Sequence, residues 1–67
     1  MNIQFNNQKH QIPAGSLLQL VLNNLIGLKQ KGIAVAINDT VVPRQNWSEQ
    51  ILLPDDNVLV ITATQGG

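Results

Sequence analysis

Few residues in this 67-residue chain are of types that carry chemistry, and the most suggestive are its last three, Gln65-Gly66-Gly67. Two successive glycines have no side chain to pack and wide backbone freedom, so nothing local holds them against a fold. Directly before them, Val58-Leu59-Val60-Ile61-Thr62-Ala63-Thr64 has strand character. The expectation is a rigid strand presenting a thin, mobile tail that ends in a carboxylate; the plainer alternative is a frayed end or a linker. Other candidates are weaker. His10 is the only imidazole and has no second ligand or nucleophile beside it, which reads as a solvated edge residue. Asp55-Asp56 could suggest paired carboxylates, but between Pro54 and Asn57 they read as a turn. There is no Ser/His/Asp set with plausible roles, no glycine-rich phosphate loop and no metal-spaced ligand group. The chain is not expected to be an enzyme by itself, nor to bind a cofactor or metal.

Composition narrows the class further. Four basic residues (Lys9, Lys29, Lys31, Arg44) balance four acidic ones (Asp39, Glu49, Asp55, Asp56), and Phe5 and Trp47 are the only aromatics. Without a basic stripe to neutralise phosphates, no nucleic-acid partner is expected. The longest apolar run, Ile33 to Ile37, is far too short to span a bilayer, and Met1 leads straight into a strand pattern with no signal segment. No membrane partner is expected; the cytoplasm is the default location and a monomer the default state. With no cysteine, stability must come from aliphatic packing in a domain near the lower size limit for a core.

The elements that position the tail read in order. Ile3 and Phe5 alternate with Asn2, Gln4 and Asn6 as a one-faced strand, Asn6 to Lys9 is a polar turn, and His10-Gln11-Ile12 returns as a short edge strand. After Pro13-Ala14-Gly15, Ser16 and Gln19 form a capping box for a helix from about Ser16 to Ile26. Its apolar stripe is Leu18, Val21, Leu22 and Leu25; Leu20 lies off it without a firm role. Gly27 is placed as the left-handed residue past the helix end, with Leu28 folding back towards Leu22. Ile33 to Ile37 is a strand with bulky residues on one face and Ala34 and Ala36 on the other. Asn38-Asp39-Thr40 turns the chain, Val41-Val42 pairs back, and Pro43 ends that strand. Arg44 to Gln50 is irregular, with one tight helical turn, and Trp47 covers the open end of the core.

The last strand is apolar on both sides of its pleat: Val58, Val60 and Thr62 point one way, Leu59, Ile61 and Ala63 the other. That pattern belongs to the middle of a sheet. The order β-β-α-β-β-(loop)-β is then an α+β fold of the ubiquitin-like β-grasp type, a mixed sheet of about five strands with one helix across one face. Residues 1–64 are expected to form the single domain and 65–67 the tail. Leu59, Ile61, Ala63, Ala34 and Ala36 would lie on the sheet face the helix does not cover, a small apolar patch beside the tail that suggests partner docking.

Met1-Asn2-Ile3-Gln4-Phe5-Asn6, Ala36-Ile37-Asn38, Val42-Pro43-Arg44 with Trp47, and the terminal Gly66-Gly67 carry a resemblance over the whole chain. The pattern resembles the ubiquitin-like β-grasp sulfur carriers, and most closely those of thiamine biosynthesis. Gly-Gly alone is shared with the molybdopterin-synthase small subunit and with ubiquitin-like modifiers. The spacing from Asn38 through Val42-Pro43-Arg44 to Trp47 favours the thiamine branch. One departure is that Asn and Gln fill many surface positions where relatives often carry acids, which implies a less electrostatic partner interface.

The resemblance implies a chemistry for the tail. The Gly67 carboxylate, ionised at neutral pH, is a poor acyl donor. In the family an E1-like adenylating enzyme spends ATP to convert it to an acyl-adenylate. Sulfur from a cysteine-derived persulfide then replaces AMP, and the resulting thiocarboxylate supplies thiazole synthase with the sulfur of the thiamine thiazole. Gln65, Gly66 and Gly67 would thread into buried partner sites where a Cβ would clash. ATP is thus used by the partner and no cofactor resides on the chain. The readings left open are a molybdopterin-synthase small subunit, a ubiquitin-like modifier and a plain interaction module.

Overall fold

The computed structural model describes residues 1–27 and 30–62. Five strands, β1 (Asn2–Phe5), β2 (Gln8–Gln11), β3 (Ile33–Ile37), β4 (Thr40–Val42) and β5 (Asn57–Thr62), form one sheet in the order β2-β1-β5-β3-β4. β1 and β5 are parallel, and the other pairs are antiparallel. The strand with apolar residues on both faces therefore lies in the centre, as its pattern predicts. The helix α1 (Leu18–Leu25) packs on one side, and Ile3, Phe5, Leu18, Val21, Leu22, Val35, Ile37, Val42, Trp47, Leu52 and Val58 form the core between the layers.

Both hairpins close through two-residue loops whose residues all have positive φ: Asn6 and Asn7 (50° and 68°), and Asn38 and Asp39 (50° and 71°). Those are the backbone angles of the turn whose twist matches paired strands, and Asn and Asp tolerate them better than other non-glycine residues. The first turn is thus shorter than the Asn6–Lys9 turn read from the sequence. The edge strand accordingly begins at Gln8 and stops at Gln11, before Ile12. His10 on that strand is half-buried rather than solvated, with its ring edge-on to Phe5 at 5.9 Å between centroids.

The helix starts later than predicted, and no capping box forms. Ser16 Oγ donates to the Pro13 carbonyl at 2.6 Å, and Gln19 turns its amide to Asn23 and Gln30. The unpaired amides of the first turn find other acceptors: Leu18 N–H donates to Gln50 O and Gln19 N–H to Trp47 O. A tertiary contact thus does the work of a local cap. At the other end Gly27 takes φ +61° as expected, while Leu28 lies outside the described residues. Leu20 is 55% exposed, consistent with its position off the stripe.

The turn at Asn38 also ties two distant segments. Its Oδ1 accepts from Asn57 N–H at 3.0 Å and its Nδ2 donates to Asp56 Oδ1 at 2.9 Å. Asp56, 8% exposed, accepts with its second oxygen from Leu53 N–H. Asn38→Ala removes both side-chain bonds and leaves a residue poorly suited to positive φ. A loss of about 2 kcal/mol, read from urea unfolding, is the expected result.

Candidate functional site

The described part of the site is the last strand and what surrounds its end. On the face away from the helix, β5 places Leu59 opposite Ala36 and Ile61 opposite Ala34. Leu59 is 38% exposed and Ile61 53%. Val41 stands opposite Ala36 on the other side and is exposed, a contributor to this face that the sequence reading did not include. Its signal was available: two residues of a paired strand alternate faces, so Val41 and Val42 cannot both be core. Ala34 is half-buried, whereas Ala36 is buried between its larger neighbours. The accessible apolar surface is therefore Leu59, Ile61 and Val41, with Ala36 as its floor. Ala63, Gln65, Gly66 and Gly67 lie outside the described residues.

β5 is held on both sides. Towards β3 it is paired along its length, from Ile37–Val58 to Ile33–Thr62. Towards β1 the backbone ladder is short, Gln4–Asn57 and Phe5–Val58. Where β1 ends, the side chain of Asn6 takes over: its Oδ1 accepts the Val60 N–H at 2.8 Å. That bond replaces the main-chain acceptor a longer β1 would offer, and it fixes the strand shortly before residues 63–67. No sequence signal announces this role, because Asn6 and Val60 meet only when the sheet is assembled.

Trp47, 1% exposed, closes the end of the core as expected. Its Nε1–H donates to Val42 O at 2.9 Å, and the Arg44 guanidinium lies over the ring at 4.6 Å from its centroid while also donating to the Gln30 carbonyl. Pro43 precedes a single 3-10 turn, Arg44–Asn46. The Val-Pro-Arg-x-x-Trp stretch is thus structural: it carries the chain off β4 and over the core.

Asp55, at φ +67°, and Asp56 shape the turn before β5. Among the described residues no group of three or more His, Cys, Asp or Glu is placed to hold a metal ion, and no helix is long and apolar enough to cross a membrane.

A family model described as the ThiS family matches residues 3–67. The chain belongs to the ThiS family. The match takes in Gly66 and Gly67. This ThiS-family chain is 37% identical to the sulfur carrier protein ThiS of Escherichia coli strain K12 over 67 residues, all of both chains. Its fold matches the crystal structure of the thiamine biosynthesis protein ThiS from Geobacter metallireducens, with a TM-score of 0.87, 19% identity and full coverage of both chains. The β-grasp assignment holds on that likeness: five strands in a mixed sheet and one helix.

Proposed function

We propose that the α-carboxylate of Gly67 is the sulfur-carrying group of this chain. Membership of the ThiS family makes the chain a sulfur carrier of thiamine biosynthesis and not an enzyme. In this reading the carboxylate attacks the α-phosphate of ATP in the active site of an E1-like adenylating enzyme, releasing pyrophosphate and leaving an acyl-adenylate. The outer sulfur of a cysteine-derived persulfide displaces AMP to give an acyl disulfide. A thiol reductant cleaves its S–S bond, leaving the C-terminal thiocarboxylate, a free cysteine thiol and the oxidised reductant, and the thiocarboxylate then delivers its sulfur to thiazole synthase. The observation that carries the reading is that the family match runs through Gly66-Gly67. The domain supports it by holding β5 on both sides a few residues earlier.

Gln65, Gly66 and Gly67 form the threading segment in this proposal, and ATP belongs to the partner. The exposed face of Leu59, Ile61 and Val41, with Ala34 beside them and Ala36 as its floor, is the docking surface, and Ala63 follows it in sequence. Intact mass of the chain after incubation with its adenylating enzyme, ATP, a persulfide donor and a thiol reductant tests the proposal. Exchange of one oxygen for sulfur at Gly67 is expected, and an unchanged terminus overturns it.

The docking face makes its own prediction. Leu59→Asp or Ile61→Asp should fold normally, because each side chain is already substantially exposed. Binding to the adenylating enzyme should weaken at least about tenfold, since a charge would be desolvated at the interface. Calorimetric titration reads the affinity, and circular dichroism confirms the fold.

A further inference from the structure

β1 covers only the first part of β5. Phe5 pairs with Val58, and at Asn6 the chain turns away at φ +50°. Along a strand, every second residue directs its N–H and C=O to the same neighbour. Val58 O accepts from Asn6 N–H on the β1 side at 2.9 Å, so Val60 and Thr62 point that way too. The Val60 N–H is taken by Asn6 Oδ1. The Val60 carbonyl and the Thr62 N–H and carbonyl follow on an edge beside which no strand lies among the described residues. Beneath that edge, on the helix side, a groove of about 450 Å³ opens between Asn6, Leu25, Ile26, Ile33, Val60 and Thr62. None of the described residues that line it is charged, and it lies beside the part of β5 that β1 does not reach.

We propose that an extended segment of the adenylating enzyme pairs with this edge of β5, in the place β1 vacates, and sets one large aliphatic or aromatic side chain in the groove. A bare strand edge matches only another extended backbone, which supplies acceptor and donor at the same spacing. Alternation along the incoming strand then directs every second side chain to the helix side, where the aliphatic groove lies. Residues 63–67 follow this edge in sequence, so a segment pairing here grips the chain within five residues of Gly67. The proposal rests on the carrier reading and adds where the partner grips the chain.

Thr62→Pro deletes the amide that this edge offers. That N–H points away from β3, so the β3–β5 ladder keeps its bonds, and proline is tolerated where no ladder donor is lost. In ATP–pyrophosphate exchange with the cognate adenylating enzyme, Thr62→Pro should raise KM about tenfold relative to Thr62→Ala, which keeps the amide. Equal KM values for the two variants overturn the proposal. A measurement on the unaltered chain needs no variant to fold: Thr62 amide exchange should slow at least about tenfold in the presence of saturating enzyme. An unchanged rate also overturns it. Failure of the edge proposal alone leaves a wild-type chain that is active in exchange, whereas a wild-type chain that supports no exchange removes the carrier reading itself.

Discussion

A Gly66→Val chain should be inert towards its adenylating enzyme while unfolding at the same urea concentration as the wild type. The two halves of that result have separate causes. Residues 65–67 follow the last strand, and a side chain there is expected to add no packing to the domain, so stability should change by no more than about a few tenths of a kcal/mol. In the partner's channel, by contrast, a β-branched side chain restricts the backbone and adds bulk beside the reacting carboxylate. A misplacement of about 1 Å at a reacting centre can cost on the order of a hundredfold in rate. ATP–pyrophosphate exchange should therefore fall by at least about that factor. One residue added after Gly67 should block sulfur transfer as well, by moving the terminal carboxylate past the point of attack. Full activity of both variants would leave a β-grasp binding module in place of a carrier.

The largest loss of stability is expected at Trp47. A domain of this size has on the order of 3–7 kcal/mol in all. Trp47 is 1% exposed, belongs to the same core cluster as Leu18, Leu22 and Leu52, and satisfies the Val42 carbonyl. Truncating a buried aromatic of this size costs about 3–5 kcal/mol, so Trp47→Ala should be largely unfolded at 25 °C. Trp47→Phe keeps most of the volume but gives up the N–H, and a loss of about 2 kcal/mol with an intact fold is expected. Near-ultraviolet circular dichroism and urea titration separate the two. A folded Trp47→Ala domain would mean that the core closes by another route.

The architecture was legible because it is written in side-chain pattern. β5 is central since Val58–Ile61 is apolar on both faces, and α1 lies on one side since Leu18, Val21 and Leu22 share a stripe. What the pattern could not show are contacts between groups that share no local sequence. The Ser16–Gln19 capping box is sound chemistry, but the carbonyls of Gln50 and Trp47 reach the helix amides instead. Asn6 and Asn38 read as turn residues and are that, yet their side chains also brace β5 and its approach. Ala36 was placed on the correct face and is buried there all the same, because Leu59 and Val41 stand opposite it on either side. Alternation fixes which face a residue takes and leaves open how much of it its neighbours cover.

The sheet order has a consequence for synthesis on the ribosome. The β1–β2 and β3–β4 hairpins are local and can form as soon as each emerges, but among the described residues the sheet joins them only through β5. β5 is the last of the five strands to be made, so neither hairpin has its full complement of backbone partners, nor the core its closing residues, until translation has passed Thr62. A nascent chain stalled earlier is an open pair of hairpins that proteases can clear. Closing the sheet therefore waits on a strand that ends five residues before Gly67.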